Sequence, residues 1–297
     1  MNTRKHIVLL GAGAVGVLPA VRLLRQKEIR LTVAADAQRI ARYRQEGIYF
    51  NGTRLAFDFA SPEEMAPLPP ADLILAATKT PSLEEALENV QPLTAPRTVF
   101  LPLLNGITAH EVIQKRFPGN TVLKGYFLGH ASVRENNRIT HDGVGTFFIG
   151  GQAPYAEEAA ALLKAAGVNT ELPADIHSAM WRKFVLNVGV NQTQAFFGAD
   201  YGTMQKSPEL MAFAAELMEE AVRIARMENI SGTETMVADA VKVILEMPGH
   251  VKTSMLQDVL AGRRTEVDAF AGTICAKAEK YGLDVPFNKK VLEKFFI

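Results

Sequence analysis

The sequence predicts an α/β domain built on a parallel sheet, followed by an all-α domain. In the first half, short apolar runs alternate with segments suited to helices. Strands that are buried on both faces of a parallel sheet have this continuous apolar character. From about residue 176 the rhythm changes to long helical patterns broken by Gly and Pro. We therefore expect domains at 1–170 and 171–297, with the crossover near residues 172–174.

The elements follow in chain order. The main strands are expected at 6–10, 30–36, 72–78 and 98–104, and the helices at 17–26, 37–47, 82–90 and 156–167. Asn51-Gly52 lies between two strand-like runs in 48–59, which predicts a hairpin. Segments 120–134, 137–142 and 145–151 are expected to be extended and to add an antiparallel edge to the sheet. In the second domain helices are expected at 176–197, 208–229, 233–246, 251–261 and 265–281.

Composition and charge exclude several classes of protein. The 32 Lys and Arg residues balance the 32 Asp and Glu residues, which argues against a nucleic-acid or anionic-membrane partner recognised by bulk charge. Cys275 is the single cysteine, and the six histidines show no paired ligand spacing, so we expect no metal. The apolar run in the opening MNTRKHIVLLGAG is too short for a signal peptide, and no stretch reaches the length of a membrane-spanning helix, so we expect a cytoplasmic protein.

The stretch GAGAVG (11–16) fits the pattern G-x-G-x-x-G between a strand and a helix. Gly11 permits a tight turn, Gly13 lets the backbone approach a pyrophosphate, and Gly16 allows the helix to pack on the strand. This context predicts a Rossmann-like dinucleotide-binding domain, with a ligand-free glycine turn as the alternative. The candidate cofactor-binding residues of the turn are Gly11, Ala12, Gly13, Ala14, Val15 and Gly16.

Asp36 ends the second strand, where an acidic residue typically accepts hydrogen bonds from the adenosine ribose. That role favours NAD(H) over NADP(H). Arg39 and Arg42 follow closely, however, and they suit the 2′-phosphate of NADP(H). Asp36 is equally well placed as the N-cap of the helix that begins at Ala37. The sequence leaves these interpretations open.

A ladder of polar side chains runs through an apolar helix of the second domain. Lys183, Asn187 and Asn191 recur at every fourth residue of WRKFVLNVGVN (181–191), a spacing that stacks them on one face. Because buried polar groups are costly unless paired, the ladder meets water, partners elsewhere in the fold, or a ligand. Taken singly, each has an ordinary interpretation: a lysine that extends to solvent and two surface amides.

A second polar stretch, SMLQDVLAGRRTEVDAFAG, covers residues 254–272. It predicts a helix that ends at Gly262 and another that starts after Arg263. Thr265 and Asp268 are spaced as a capping box, which places Glu266 in the first turn. The cap explains an acidic residue at this position without any function.

Two further motifs lie in the first half of the chain, Lys79 in AATKT and Asn105-Gly106 in LLNGI. With the glycine turn, the ladder and the polar stretch they make five ordered motifs that resemble the ketopantoate reductases (2-dehydropantoate 2-reductases), and the likeness covers nearly the whole chain. Two departures from the family pattern are Asp36, where NADPH-using members commonly have an arginine, and Tyr201, where some members have another substrate asparagine. The matching motifs are GAGAVG (11–16), Lys79 in AATKT, Asn105-Gly106 in LLNGI, the ladder of Lys183, Asn187 and Asn191, and the polar stretch with Ser254, Met255, Gln257, Asp258, Arg263, Thr265, Glu266 and Asp268.

The resemblance implies an enzyme that reduces 2-dehydropantoate to D-pantoate for pantothenate and coenzyme A synthesis. The implied catalytic residues are Lys183, as proton donor to the carbonyl oxygen, and Glu266. The implied substrate-binding residues are Asn105, Asn187, Asn191 and Ser254. The implied cofactor-binding residues beyond the glycine turn and Asp36 are Lys79, Asn105, Ser132 and Glu266.

The resemblance also implies NADP(H) as the cofactor, with NAD(H) as the close alternative because of Asp36. Asp36 and Tyr201 motivate a second hypothesis, an NADH-dependent dehydrogenase that converts another 2-oxo acid to a D-2-hydroxy acid. A catalytically silent dinucleotide sensor is the third hypothesis, and the presence of Lys183 and Glu266 disfavours it. The expected partners are a small 2-oxo acid and, through the helical domain, a second copy of the chain.

Overall fold

A computed structural model of the chain describes residues 4–129 and 132–295. The chain divides into two compact units. The first runs to Asn105 and includes Ala109–Ile176, whereas the second contains Gly106–Thr108 and the residues from His177 onward. The first unit is α/β and the second is helical, so the predicted fold class is confirmed.

The first unit is built of short strands and helices. Its strands are β1 (Lys5–Leu10), β2 (Ile29–Ala34), β3 (Tyr49–Phe50), β4 (Thr53–Arg54), β5 (Asp58–Ala60), β6 (Leu73–Ala76), β7 (Val99–Pro102), β8 (Thr121–Val122), β9 (Lys124–Leu128), β10 (Ser132–Glu135), β11 (Arg138–His141), β12 (Thr146–Gly150) and β13 (Thr170–Glu171). Its helices are α1 (Ala14–Leu23), α2 (Ala37–Glu46), α3 (Pro62–Met65), α4 (Leu83–Val90), α5 (Ala109–Arg116) and α6 (Tyr155–Ala165).

The main sheet is parallel, with strand order β5-β2-β1-β6-β7-β8. Successive side chains of β1 point to opposite faces. Ile7 and Leu9 join an apolar cluster that includes side chains of α1, while Val8 and Leu10 join a second cluster that includes side chains of α4. Burial on both faces explains the uninterrupted apolar strands of the sequence.

The predicted antiparallel edge of this sheet does not form. Strand β8 pairs with β7 for only two residues and runs parallel to it. The main-chain N–H of Leu123 still donates to Phe100 O, but Pro102, the next residue of β7 on that side, has no N–H to extend the ladder. The chain then leaves the sheet, and β9 pairs antiparallel with β12 in a separate sheet of order β13-β12-β9.

The predicted hairpin at Asn51-Gly52 is confirmed. Both residues have positive φ, 48° and 81°, and join the antiparallel strands β3 and β4. A two-residue turn with positive φ at both positions matches the twist of the flanking strands. This hairpin belongs to a third sheet of order β10-β11-β3-β4, whose strands β10 and β11 pack against α1.

The helices of the second unit are α7 (Ile176–Phe197), α8 (Tyr201–Lys206), α9 (Pro208–Met227), α10 (Met236–Glu246), α11 (Ser254–Leu260), α12 (Ala271–Tyr281) and α13 (Pro286–Phe295). The sequence analysis missed α8 and α13. Helix α7 matches its predicted range and packs closely on α9, since a Cβ on Gly189 would lie 2.6 Å from Cγ of Met218. In the described part of the chain, no helix is both long enough and apolar enough to cross a membrane.

The predicted helix at 265–281 begins later than expected, at Ala271. Val267–Ala269 form a short 3₁₀ turn instead, and neither element has a side-chain N-cap. The capping box is therefore wrong. The carboxylate of Asp268 accepts a 2.9 Å hydrogen bond from Arg264 rather than capping a helix.

A buried polar network joins three helices of the second unit. The carboxylate of Glu220 in α9 accepts hydrogen bonds from the main-chain N–H groups of Phe287 and Asn288, each 2.9 Å, at the start of α13. It also accepts one from Asn288 Nδ2 at 2.8 Å. Gln192 of α7 donates to Asn288 Oδ1 at 3.0 Å. A carboxylate at a helix N-terminus satisfies donors that the helix itself leaves unpaired.

Candidate active site

Candidate cofactor residues gather at the carboxyl edge of the main sheet. Gly11 follows β1, Asp36 follows β2, Lys79 follows β6 and Asn105 follows β7. The order β2-β1-β6-β7 sets these four strand ends side by side. The strand order reverses between β1 and β6, and ligands of open α/β sheets bind at such a switch point.

The glycine turn has the space that a pyrophosphate requires. Gly11 has a φ of +88°, and a Cβ there would lie 2.6 Å from Ala77 O. A Cβ on Gly16 would lie 2.6 Å from Gly11 O, whereas at Gly13 the nearest atom, Nη1 of Arg134, is 3.6 Å away. The turn is thus tightly packed at Gly11 and Gly16 and has free space at Gly13. Gly13 precedes the N-terminus of α1, where main-chain N–H groups attract anions. Ala12, Ala14 and Val15 complete the turn and enter the helix.

Asp36 is the N-cap of α2. Its Oδ1 accepts a 2.7 Å hydrogen bond from the main-chain N–H of Arg39, and its Oδ2 lies 3.6 Å from Arg39 Nε. Asp36 also lines a surface pocket together with Gly11, Arg39 and Thr78. Capping occupies one carboxylate oxygen, so the interpretation of Asp36 as a cap does not exclude a ligand at the pocket.

The loop after β6 holds two hydroxyl groups that the sequence analysis missed. The side-chain oxygens of Thr78 and Thr80 are buried and have no hydrogen-bond partner among the described residues. Lys79 between them is exposed and precedes the 3₁₀ turn Thr80–Ser82. Because an unsatisfied buried hydroxyl is costly, these groups mark a surface shaped for a polar ligand. Together with the open glycine turn, they fit a dinucleotide.

Strand β10, which packs against α1, carries Ser132 and Arg134. Ser132 and Arg134 are two residues apart and therefore on the same face of the strand. The guanidinium of Arg134 lies beside Gly13, and its Nε donates to Asn136 O at 2.8 Å. The sequence analysis missed Arg134, since no local pattern links this distant hairpin to the glycine turn.

In the second unit, helix α7 carries the predicted ladder. Lys183 and Asn187 are half-buried, and Asn191 is 6% exposed. Within residues 4–129 and 132–295, the side chains of Asn187 and Asn191 make no hydrogen bond. The neighbouring Arg182 points elsewhere and donates to Asp239 at 2.5 Å. The two amides of the ladder are therefore available to a ligand.

The environment of Lys183 tunes its amine. Burial lowers the pKa of Lys183 to about 8, and the negative charge of Glu266 opposes this by raising it. Glu266 is itself only 9% exposed. An ammonium with a pKa near neutrality is suited to donate a proton and to exist in both forms during a catalytic cycle.

Two ion pairs flank Glu266. Arg263 Nε lies 2.7 Å from Asp258 Oδ1, and Arg264 Nη2 lies 2.9 Å from Asp268 Oδ2. They tie the segment to the end of α11 on one side and to the 3₁₀ turn on the other. These motif residues thus fix the backbone that carries Glu266, which accounts for the dense polarity of the stretch.

Ser254 begins α11, and a contact with α7 holds that start. The main-chain N–H of Thr253 donates to Gln194 Oε1 at 2.9 Å. Gln194 lies about 11 residues, or three helical turns, beyond Lys183 and therefore on the ladder face. This contact places Thr253, and with it the start of α11, on the side of α7 that carries the ladder. The sequence analysis missed Gln194, although its spacing extends the ladder.

Tyr201 is buried at the start of α8, and burial raises the pKa of its hydroxyl to about 12. Its main-chain N–H donates to Val251 O at 3.2 Å, close in sequence to Ser254. Tyr201 therefore presents a neutral aromatic group where some family members have an amide. In the part of the chain described, no group of three or more His, Cys, Asp or Glu side chains is arranged to hold a metal ion.

Comparison with known proteins matches both units to one family. The model of ketopantoate reductase PanE/ApbA matches residues 7–153, and the model of ketopantoate reductase PanE/ApbA C terminal matches residues 175–295. The chain belongs to the ketopantoate reductase family. This family consists of oxidoreductases that use NAD(P)H, so the predicted family and enzyme class are confirmed.

Individual relatives of the family are distant. A protein of Pyrococcus horikoshii named 2-dehydropantoate 2-reductase is 28% identical over 287 residues, which cover 95% of this chain and 93% of that protein. Among solved structures, D-mandelate dehydrogenase with NADH and anilino(oxo)acetate has a TM-score of 0.86 at 24% identity, covering 97% and 96% of the two chains. A ketopantoate reductase from Ralstonia eutropha JMP134 has a TM-score of 0.83, with the same identity and coverage. Both structures share the fold of this chain.

Proposed function

We propose that the chain reduces 2-dehydropantoate to D-pantoate with NAD(P)H, in the synthesis of pantothenate and coenzyme A. The observation that carries this proposal is the ladder face of α7, where a lysine of pKa about 8 stands beside two amides that have no partner among the described side chains. The Pyrococcus horikoshii relative that is named 2-dehydropantoate 2-reductase supports the choice of substrate. The proposed cofactor site is the carboxyl edge of the main sheet.

Each proposed role follows from the chemistry of a 2-oxo acid. The bound cofactor supplies a hydride to C2. The carbonyl oxygen, which gains negative charge, accepts a proton from Nζ of Lys183 and becomes the hydroxyl of the product. Asn187, Asn191 and Ser254 donate hydrogen bonds to the carboxylate and hydroxyl groups of the substrate. The charge of Glu266 keeps Lys183 protonated until transfer.

The proposed cofactor residues each contact a different part of the dinucleotide. The glycine turn at Gly11–Gly16 holds the pyrophosphate, and Asp36 holds the adenosine ribose. The remaining proposed contacts are Lys79 along the cofactor, Asn105 and Ser132 toward the nicotinamide, and Glu266 at the nicotinamide ribose.

A second candidate is an NADH-dependent dehydrogenase that forms a D-2-hydroxy acid from another 2-oxo acid. Asp36 favours it, because a carboxylate repels the 2′-phosphate of NADPH. Tyr201 favours it as well, since a buried aromatic ring suits a substrate with an apolar group.

The deciding experiment is steady-state reduction of 2-dehydropantoate and of phenylglyoxylate, each with NADH and with NADPH. Phenylglyoxylate serves as the 2-oxo acid with an apolar group that the second candidate requires. A kcat/KM for 2-dehydropantoate well above that for phenylglyoxylate supports the first candidate. The reverse ratio supports the second. Binding of NADH or NADPH without turnover of either acid contradicts the first candidate and excludes phenylglyoxylate as the substrate of the second.

The pH dependence of the reaction should report Lys183. Reduction needs the protonated amine, so kcat/KM is expected to be flat below pH 8 and to fall about tenfold per unit above it. Oxidation of the hydroxy acid needs the neutral amine and should rise through the same range. Glu266→Gln removes the charge that raises the pKa, so the falling limb should move to lower pH. A falling limb at the same pH in Glu266→Gln would show that the charge of Glu266 does not raise the pKa of Lys183.

Cofactor preference should depend on Asp36. Asp36→Ser keeps an N-cap for α2 but removes the carboxylate. The ratio of NADPH to NADH affinity is expected to rise about tenfold, because a charged hydrogen bond is lost and a repulsion is relieved. Fluorescence titration with both cofactors measures the ratio, and the melting temperature shows that the cap is kept. An unchanged ratio would leave Asp36 as a cap alone.

We also propose a cytoplasmic setting and a homodimer through the helical unit. The single cysteine, Cys275, supports a reducing compartment, because one cysteine cannot form an internal disulfide. Light scattering measures the oligomeric state, and a monomeric mass would contradict the dimer.

A further inference from the structure

Gln194 is fully buried, and its amide has a defined orientation. The atom facing Thr253 must be the oxygen, because a main-chain N–H can only donate. That hydrogen bond, Thr253 N to Gln194 Oε1 at 2.9 Å, joins α7 to the residue before α11. Among the described residues, this is the one hydrogen bond that the Gln194 amide makes.

The other end of the same amide is unsatisfied. Gln194 Nε2 has no acceptor, and Thr253 Oγ1 nearby has no partner, among residues 4–129 and 132–295. An apolar side chain of the same size at this position would avoid the cost of burying an unpaired NH₂ group. Packing alone therefore does not account for an amide at this position, whereas the hydrogen bond to Thr253 does.

We propose that Gln194 is a positioning residue for substrate binding. It fixes the start of α11 at the ladder face of α7, and thereby the position of Ser254, the residue after Thr253. This inference rests on the proposed function, because Ser254 is assigned to the substrate there. Gln194 itself does not contact the substrate and acts through Ser254.

Gln194→Met keeps the length and volume of the side chain and removes the acceptor. The KM for 2-dehydropantoate, or for phenylglyoxylate if that acid is the better substrate, is expected to rise about tenfold. The value of kcat should change less than about twofold, since Lys183 is untouched. Affinity for NADH should not change, because the cofactor residues of the sheet edge belong to the first unit.

A double-mutant cycle with Ser254→Ala tests the route of the effect. If Gln194 acts through Ser254, adding Gln194→Met to Ser254→Ala should raise KM little further. Multiplying effects would overturn the inference, as would an unchanged KM in Gln194→Met.

Gln192→Met is the matched control. Gln192 is also fully buried on α7, but its Nε2 donates to Val188 O and to Asn288 rather than holding α11. This variant should lose stability while KM stays the same. An equal rise of KM in Gln192→Met would show that general loosening of the helices, not the contact with Thr253, is responsible.

Hydrogen exchange tests the same contact without turnover. The main-chain N–H of Thr253, followed in a peptide covering residues 251–257, should exchange faster in Gln194→Met than in Gln192→Met or the unchanged protein. Equal rates would overturn the inference. If the protein reduces neither acid, the proposed function fails, while the exchange rates still decide whether Gln194 fixes the start of α11.

Discussion

Lys183→Ala is expected to lower kcat for reduction on the order of 10³-fold, because it removes both the proton donor and the positive charge facing the carbonyl oxygen. The half-buried amine, with a pKa of about 8, has no substitute on the ladder face, where the neighbouring polar groups are amides. Lys183→Arg should not rescue the rate, since a guanidinium remains protonated at every working pH and is a poor proton donor.

Single-turnover kinetics with saturating cofactor measure this loss, and fluorescence titration measures NADH and NADPH affinity. Affinity should remain close to that of the unchanged protein. Arg182→Ala is the control, because Arg182 is adjacent in sequence but binds Asp239 and Gly232 O. A Lys183→Ala enzyme with a kcat within about tenfold of the original would exclude Lys183 as the general acid.

Glu220→Ala is expected to destabilise the helical unit by about 3 kcal/mol. The carboxylate accepts three hydrogen bonds, two from the first turn of α13 and one from the Asn288 amide. Removing it leaves the main-chain N–H groups of Phe287 and Asn288 without this acceptor, and the Asn288 amide keeps only its 3.4 Å hydrogen bond to Leu217 O. Glu220→Gln should cost less, since one oxygen remains, but it loses the negative charge at the helix N-terminus.

Glu219→Ala is the matched control, because Glu219 is exposed one residue away on the same helix. Its effect on the free energy of unfolding should be within about 0.5 kcal/mol. Urea unfolding followed by circular dichroism compares the variants through midpoint and slope. Equal midpoints for Glu220→Ala and Glu219→Ala would show that the buried network contributes no net stability.

Features with local causes were predicted well. The glycine turn, the Asn51-Gly52 hairpin and helix α7 each depend on residues that are close in sequence, through φ preferences or helical periodicity. The same periodicity singled out Lys183, Asn187 and Asn191 as one face before any contact was known. Their roles stay a proposal, which the kinetic experiments above test.

Features that depend on distant contacts were not predicted. The capping box at Thr265 is an exception, since it was wrong for a local reason: Asp268 binds Arg264, four residues earlier, instead. The antiparallel sheet edge was wrong because Pro102 ends the ladder on the β8 side of β7. Gln194 was missed because its partner Thr253 lies 59 residues away along the chain.

The sequence by itself determined the class of both units, the glycine turn and the polar face of α7, because backbone preferences and side-chain periodicity act over a few residues. Only the tertiary structure decided that Arg134 stands beside Gly13, that Thr78 and Thr80 lack partners among the described residues, and that Gln194 holds the start of α11. It also decided the pKa of Lys183, which depends on burial and on the charge of Glu266. Desolvation and Coulomb interactions depend on distances through space, which a linear sequence does not contain.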